Sequence, residues 1–276
     1  MKLLLILLAA AAIGMANPPE PPEPSVASIE EEEELKTEEA VFGLELDEDM
    51  PPAVDPAAWA DTTLLMGSTA WPEGRYTDLT DDDYREVADS LGIDIATIKA
   101  VVDIEAGKKH EGFWQPGKPL VNFDLSMYSR FAPRRGVSLK KLRKSNPVIF
   151  SAPNVRKYGS RQAGQYARLE AAYAVDSVSA IEGTFWGMFQ IGGFNWSKCG
   201  TADIIEFVRL MSRSERDQLD LFAKFITNSG MLDDLRNKRW LAFARKYNGP
   251  KARQRGYHTR LAAAYKKYSK NNKNNK

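Results

Sequence analysis

Asp94-Ile95-Ala96-Thr97-Ile98-Lys99-Ala100-Val101-Val102-Asp103-Ile104-Glu105 reads as one amphipathic helix. Asp94 suits the amino-terminal cap, and Ile98, Val101 or Val102, and Glu105 recur three and four residues apart, with Gly107 as the stop. An acid on an otherwise apolar face is the informative residue. Its carboxylate is expected to project beside the core at the helix exit. Partial burial there disfavours the charged form, which is the condition a general acid needs near neutral pH. On pattern alone the alternative is a surface glutamate or a salt bridge with Lys108 or Lys109.

The same period extends on both sides. Thr80 followed by Asp81-Asp82-Asp83 predicts a capped helix to about Ser90, closed by Leu91-Gly92. Residues 162–173, 176–182, 202–211, 214–227, 231–237, 239–247 and 255–268 show apolar positions at helical spacing. Only 120–123 and 185–191 are candidates for short strands. The chain from about 78 to 270 is therefore expected to be one mainly α domain, with 271–276 as a polar tail.

The amino-terminal part differs in kind. One lysine, a continuous apolar run over 3–13, and Gly14-Met15-Ala16 have the grammar of a secretory signal peptide, and the run falls short of the roughly 20 apolar residues of a spanning helix. The mature protein is expected to start near Asn17, outside the cytoplasm, without stable insertion in a membrane. Residues 17–77 form an acidic, Pro/Glu-rich arm (Pro18-Pro19-Glu20-Pro21-Pro22-Glu23-Pro24, then Glu30 to Glu34) expected to be mostly disordered; 57–77, with Trp59 and Trp71, could instead wrap on the domain.

A net charge of +1 conceals two opposed halves: residues 17–90 carry 22 Asp/Glu and 3 Lys/Arg, whereas 91–276 carry 15 Asp/Glu and 34 Lys/Arg, or −19 against +19. These must attract at low salt, so the arm is expected to screen the body in part. A basic body points to a polyanionic partner such as nucleic acid, anionic lipid or cell wall with its carboxylates, and export puts nucleic acid last among these; no nucleic-acid partner is expected. Cys199 is the single cysteine, which rules out an internal disulfide, and it reads as a small buried apolar residue.

No Ser-His-Asp set, CxxC pair, HExxH or phosphate-cradling glycine loop is present, so carboxylates remain as the chemical groups. Beside Glu105, the run Glu182-Gly183-Thr184-Phe185-Trp186-Gly187-Met188-Phe189-Gln190-Ile191-Gly192-Gly193-Phe194 sets glycines among large aromatics. Such a backbone turns sharply and suits stacking on sugars, with Gln190 bonding hydroxyls; a core loop between helices fits equally well. Tyr247-Asn248-Gly249-Pro250 by itself is a helix stop.

Together these pieces resemble a family. A glutamate at a helix end, a later Gly-x-x-Gln and a late Tyr-Asn-Gly follow the order of the lysozyme and lytic transglycosylase superfamily. More closely, the chain is similar to the N-acetylmuramidase domain of phage endolysins and related bacterial proteins. The similar stretches are Leu91 to Asp94 with Ile98 to Glu105, Tyr166-Ala167-Arg168-Leu169-Glu170, Phe185 to Ile191, and Phe243 to Pro250. The resemblance implies a lysozyme-like fold and cleavage of the glycosidic bond between N-acetylmuramic acid and N-acetylglucosamine in bacterial peptidoglycan. It implies Glu105 as catalytic acid, Asp124 or Glu182 as the assisting carboxylate, and a sugar cleft lined by Trp186, Gln190, Tyr247 and Asn248. Neither a cofactor nor a metal is implied, and the enzyme is expected to be a monomer. Two departures stand out: Glu105-Ala106 where the family has Glu-Ser, and Phe123-Asp124 where it has Phe-Glu. The alternatives are a lytic transglycosylase acting on the same bond and a cell-wall-binding module without turnover.

Overall fold

The computed structural model describes residues 79–106 and 111–274. The expected signal peptide, the acidic arm and Gly107 lie outside the described residues.

The described chain is mainly helical. Helix α1 (Asp81–Leu91) begins with a capping box in which Thr80 and Asp83 bond each other's backbone N–H, and it ends on Gly92 at φ 61°. Asp94 then caps α2 (Ile95–Glu105) by accepting from Thr97 N, so both expected helices begin where their cap residues stand, and α1 also ends on its expected glycine. Next come a hairpin of β1 (Phe113–Gln115) and β2 (Lys118–Pro119), strand β3 (Val121–Phe123), and three short helices, α3 (Leu125–Phe131), α4 (Leu139–Ser145) and α5 (Val155–Tyr158). After α6 (Arg161–Tyr173) and α7 (Ser177–Glu182), strands β4 (Thr184–Trp186) and β5 (Ile191–Gly192) close a three-stranded antiparallel sheet in the order β3-β4-β5. The remainder is helical: α8 (Ile204–Met211), α9 (Glu215–Asn228), α10 (Leu232–Arg236), α11 (Trp240–Asn248) and α12 (Tyr257–Asn274).

The β1–β2 hairpin and α3 to α5 were not expected from periodicity, because segments of two to seven residues hold too few positions to show a period. Helix α12 continues to Asn274, into the stretch expected as a polar tail.

Most of the core is one cluster. Helix α2 buries Ile98, Ala100, Val101 and Val102 and packs along α12 through Leu261 and neighbours, while α9 contributes Leu219, Phe222 and Ile226. Phe185 faces the other way and joins a small second cluster with Met127 and Phe131.

The open edge of β3 is closed by side chains instead of a fourth strand. Val121↔Trp186 and Phe123↔Thr184 leave the outer N–H and C=O groups of Val121 and Phe123 unpaired within the sheet. Gln162 of α6 accepts from Val121 N and donates to Val121 O, both at 3.1 Å; one turn on, Gln165 accepts from Phe123 N at 3.2 Å; Arg168 donates to Phe123 O at 3.0 Å. Tyr166 donates to Pro119 O at 2.7 Å. Gln162, Gln165 and Arg168 thus hold the edge of β3 on α6, and of the stretch Tyr166 to Glu170 it is Arg168 and Tyr166 that take part.

Asp234 is a buried acid on which Lys246 and Arg239 converge, each at 2.8 Å. Burial acts to raise its pKa, but the two cations outweigh that and hold it below the usual carboxylate range. A depressed folded-state pKa contributes stability that is fully present above the unfolded value, near 4, and is lost as pH falls through the folded value. Asp234→Asn should therefore cost stability at pH 7 and little near pH 2, as measured by denaturant titration at both pH values.

Candidate active site

Glu105 is the last residue of α2 and is 3% exposed. Its position follows from helical spacing: Ile98, Val101 and Val102 face the core, and Glu105 continues that face at the end where the chain leaves the helix. The Asn248 side-chain amide donates to Glu105 Oε1 at 3.0 Å. Asn248 is itself buried, the final residue of α11, and Gly249 follows at φ 78°, a conformation that glycine alone adopts readily.

Tyr247, the neighbour of Asn248, stacks on Phe243 and meets Phe222 edge-on, and its hydroxyl donates to Phe189 O at 2.8 Å. Burial, and then the nearby charge of Glu105, pushes that hydroxyl well above the usual tyrosine range. Phe189 in turn stacks on Phe222 at 4.3 Å. Phe189 lies in the turn between β4 and β5, where Gly187 and Gln190 both take positive φ and Gln190 Nε2 donates back to Gly187 O at 2.8 Å. Three motifs far apart in sequence are therefore joined by a continuous set of contacts: Glu105 to Asn248, Tyr247 to Phe189, and Gln190 within the same turn.

A second clasp went unnoticed in the sequence. Gln218, fully buried on α9, accepts from Met188 N at 2.8 Å and donates to Gly112 O and Met211 O; Glu215 accepts from Gly112 N at 2.8 Å. These residues fasten the strand-forming chain that returns after Glu105 to the turn that carries Gln190. Gly187 is required there, since a Cβ would lie 2.7 Å from Gln218 Oε1. The available signal was a polar residue at the core-facing spacing of α9, one place before Leu219 and four before Phe222.

The other expected carboxylates have structural bonds. Asp124 caps α3: Oδ1 accepts from Met127 N at 2.9 Å and from the Ser126 hydroxyl at 2.6 Å. It also lines a cavity of about 220 Å³ with Asn122, Ser126, Phe150, Ser151 and Arg168. Glu182, 4% exposed, is held by both terminal nitrogens of Arg135, at 2.7 and 3.1 Å. Burial raises its pKa and Arg135 only partly offsets this. Asp124 N donates to Gly183 O, whereas Gly187 N donates to Leu120 O. Asp124 and Glu182 thus sit at one end of the β3–β4 pair and the Gln190 turn at the other, a rise of about 13 Å over four strand residues.

Trp186 does not line a cleft: it is 1% exposed, meets Phe207 edge-on, and its Nε1 donates to Ile181 O. Gly183 and Gly193 of this run likewise approach the protein's own backbone; at Gly193 a Cβ would lie 2.0 Å from Ile181 O. Trp186→Phe should cost roughly 2 kcal/mol through lost volume and an unpaired carbonyl, read as a lower melting temperature. A raised KM with unchanged stability would instead place Trp186 on the substrate.

A mainly helical body that presents a buried glutamate at a helix exit, beside a small antiparallel sheet, has the plan of a lysozyme-like glycoside hydrolase. The chain belongs to the N-acetylmuramidase family, whose model matches residues 94–269. It is similar to a Burkholderia AP3 phage endolysin of known crystal structure, with 29% identity, a TM-score of 0.59, and coverage of 86% of this chain and 84% of that one. No curated protein matches the chain. The protein is a muramidase, a hydrolase of peptidoglycan glycan strands.

Proposed function

We propose that Glu105 is the general acid, delivering a proton to the glycosidic oxygen between N-acetylmuramic acid and N-acetylglucosamine. The observation that carries this is a carboxyl buried at the carboxyl end of α2 and held by the Asn248 amide through Oε1. Burial strips water from the group, and the negative end of the helix dipole opposes an anion; both favour the protonated form. A donor on Oε1 directs the proton to the other oxygen, so Asn248 is a positioning residue and the acid has a defined donor atom.

Once the bond has broken, the Glu105 carboxylate takes the proton of the attacking water and is regenerated as the acid, while Asp124 and Glu182 assist without transferring protons, one as a helix cap and the other as the partner of Arg135. Gln190 and Tyr247 shape the wall of the site from the β4–β5 turn and α11. The enzyme acts outside the cytoplasm, supported by the apolar run over 3–13 and Gly14-x-Ala16.

Digestion of purified peptidoglycan followed by mass spectrometry tests the reaction. Hydrolysis yields muramic acid with a free reducing end; a 1,6-anhydro end would show instead that the muramic 6-hydroxyl attacks, and would make the enzyme a lytic transglycosylase.

A further inference from the structure

Between residues 125 and 169 the chain has eleven Lys/Arg and no Asp/Glu. Many of the cations elsewhere in the described body have acidic neighbours, and even in the acid-free stretch after Asp234 Lys238 bonds Asp94 and Lys267 bonds Asp103, while Lys246 and Arg239 share Asp234; before it Lys99 bonds Asp81 and Arg216 bonds Glu86. Within 125–169, Arg135 is committed to Glu182 and Arg168 to the edge of β3. Of the other nine, eight are exposed and Arg161 is half-buried. Helix α4 shows this best: Leu142 is its one buried residue, while Lys140, Lys141, Arg143 and Lys144 are all exposed. Arg130 and Arg156 are exposed on either side of it in sequence. Arg143 rests on the Phe150 ring at 4.4 Å, which holds its guanidinium outward over the neighbouring 3-10 turn (Pro147–Phe150).

A surface of this charge repels itself unless a polyanion covers it. The chain supplies one. Residues 17–78 carry 17 Asp/Glu against Lys36 and Arg75, including the unbroken run Glu30 to Glu34. This segment joins the body directly at α1, and 62 residues can extend to about 200 Å, far beyond the width of a domain of this size. Tethering raises the effective concentration of one partner around the other to about millimolar, well above that of any free competitor at micromolar levels.

We propose that the cationic surface centred on α4 is the docking site of the chain's own acidic segment, residues 17–78. The segment occupies the surface at low ionic strength and yields it to a denser polyanion. Its contacts are charge pairs with exposed lysines and arginines, so a Debye length of about 3 Å at 1 M salt dissolves them, against about 10 Å at 0.1 M.

Carbodiimide coupling of the full-length protein at about 50 mM salt, with peptide mapping of the monomer fraction, tests this. Acidic peptides from 17–78 should join to Lys140, Lys141 or Lys144, and these links should disappear at 1 M salt. Links spread evenly over Lys198, Lys224, Lys251 and Lys266, or found only between two copies, would overturn intramolecular docking at this surface. A second measurement uses inorganic polyphosphate as the probe. Full-length protein with Glu30→Gln, Glu31→Gln, Glu32→Gln, Glu33→Gln and Glu34→Gln should bind it about tenfold more tightly at low salt, with the gain vanishing at high salt. Adding Lys140→Gln, Lys141→Gln, Arg143→Gln and Lys144→Gln, all at exposed positions, should abolish that gain. An unchanged affinity in the first variant, or a gain that survives the α4 substitutions, would refute the proposal.

Discussion

Glu105→Gln is expected to abolish muropeptide release while leaving the melting temperature and peptidoglycan binding close to those of the parent. The amide keeps the shape of the side chain and still offers an oxygen to Asn248 Nδ2, so the buried bond at 3.0 Å survives. What it loses is the proton. General acid catalysis contributes typically about 10²–10⁴-fold, and here protonation of the leaving oxygen is the step for which the chain offers one well-placed group. Asn248→Ala should act through the same carboxyl: kcat falls and the alkaline limb of the pH profile, where a general acid loses its proton, shifts, with KM little changed, because the change loosens the acid without removing it. Release at close to the normal rate by Glu105→Gln would remove Glu105 from the role, and Glu182 would be examined next.

The second large effect is on stability. Arg135→Met should cost about 3–5 kcal/mol, because it leaves Glu182 buried without its cation. Replacing both, Arg135→Met with Glu182→Met, should recover much of that loss, since an apolar pair of similar volume carries no uncompensated charge. The pH dependence gives a further check. The folded-state pKa of Glu182 already lies above its ordinary value, from burial opposed by Arg135, and removing Arg135 raises it more. A raised carboxyl pKa means the folded state holds the proton more tightly, so stability is fullest below the unfolded value and declines as pH rises toward the folded one. Arg135→Met should therefore be less destabilised at pH 5 than at pH 8 in chemical denaturation. Equal loss at both pH values would show that Glu182 is not the group left unpaired. Retained turnover in the folded fraction of Glu182→Gln would separate this structural duty from catalysis.

Helix existence and the position of Glu105 were legible in the sequence because both depend on short-range rules. Caps such as Thr80, Asp94 and Asp176 act within three residues of themselves, and a core-facing acid at helical spacing stays core-facing whatever the partner helix. The order of the motifs also carried the family. What the local pattern left open, only tertiary structure decided. Asp124, Glu182 and Glu105 are alike as carboxylates on paper; a helix start at Leu125, an arginine 47 residues away and an amide 143 residues away give them three different duties. Trp186 and Gln190 stand four residues apart in one aromatic run, yet the antiparallel register of β4 turns the first into the core and a positive-φ turn leaves the second half-buried at its rim. The physical reason is the same in each case: burial and hydrogen-bond partners are set by contacts between distant segments, and no spacing within one segment encodes them.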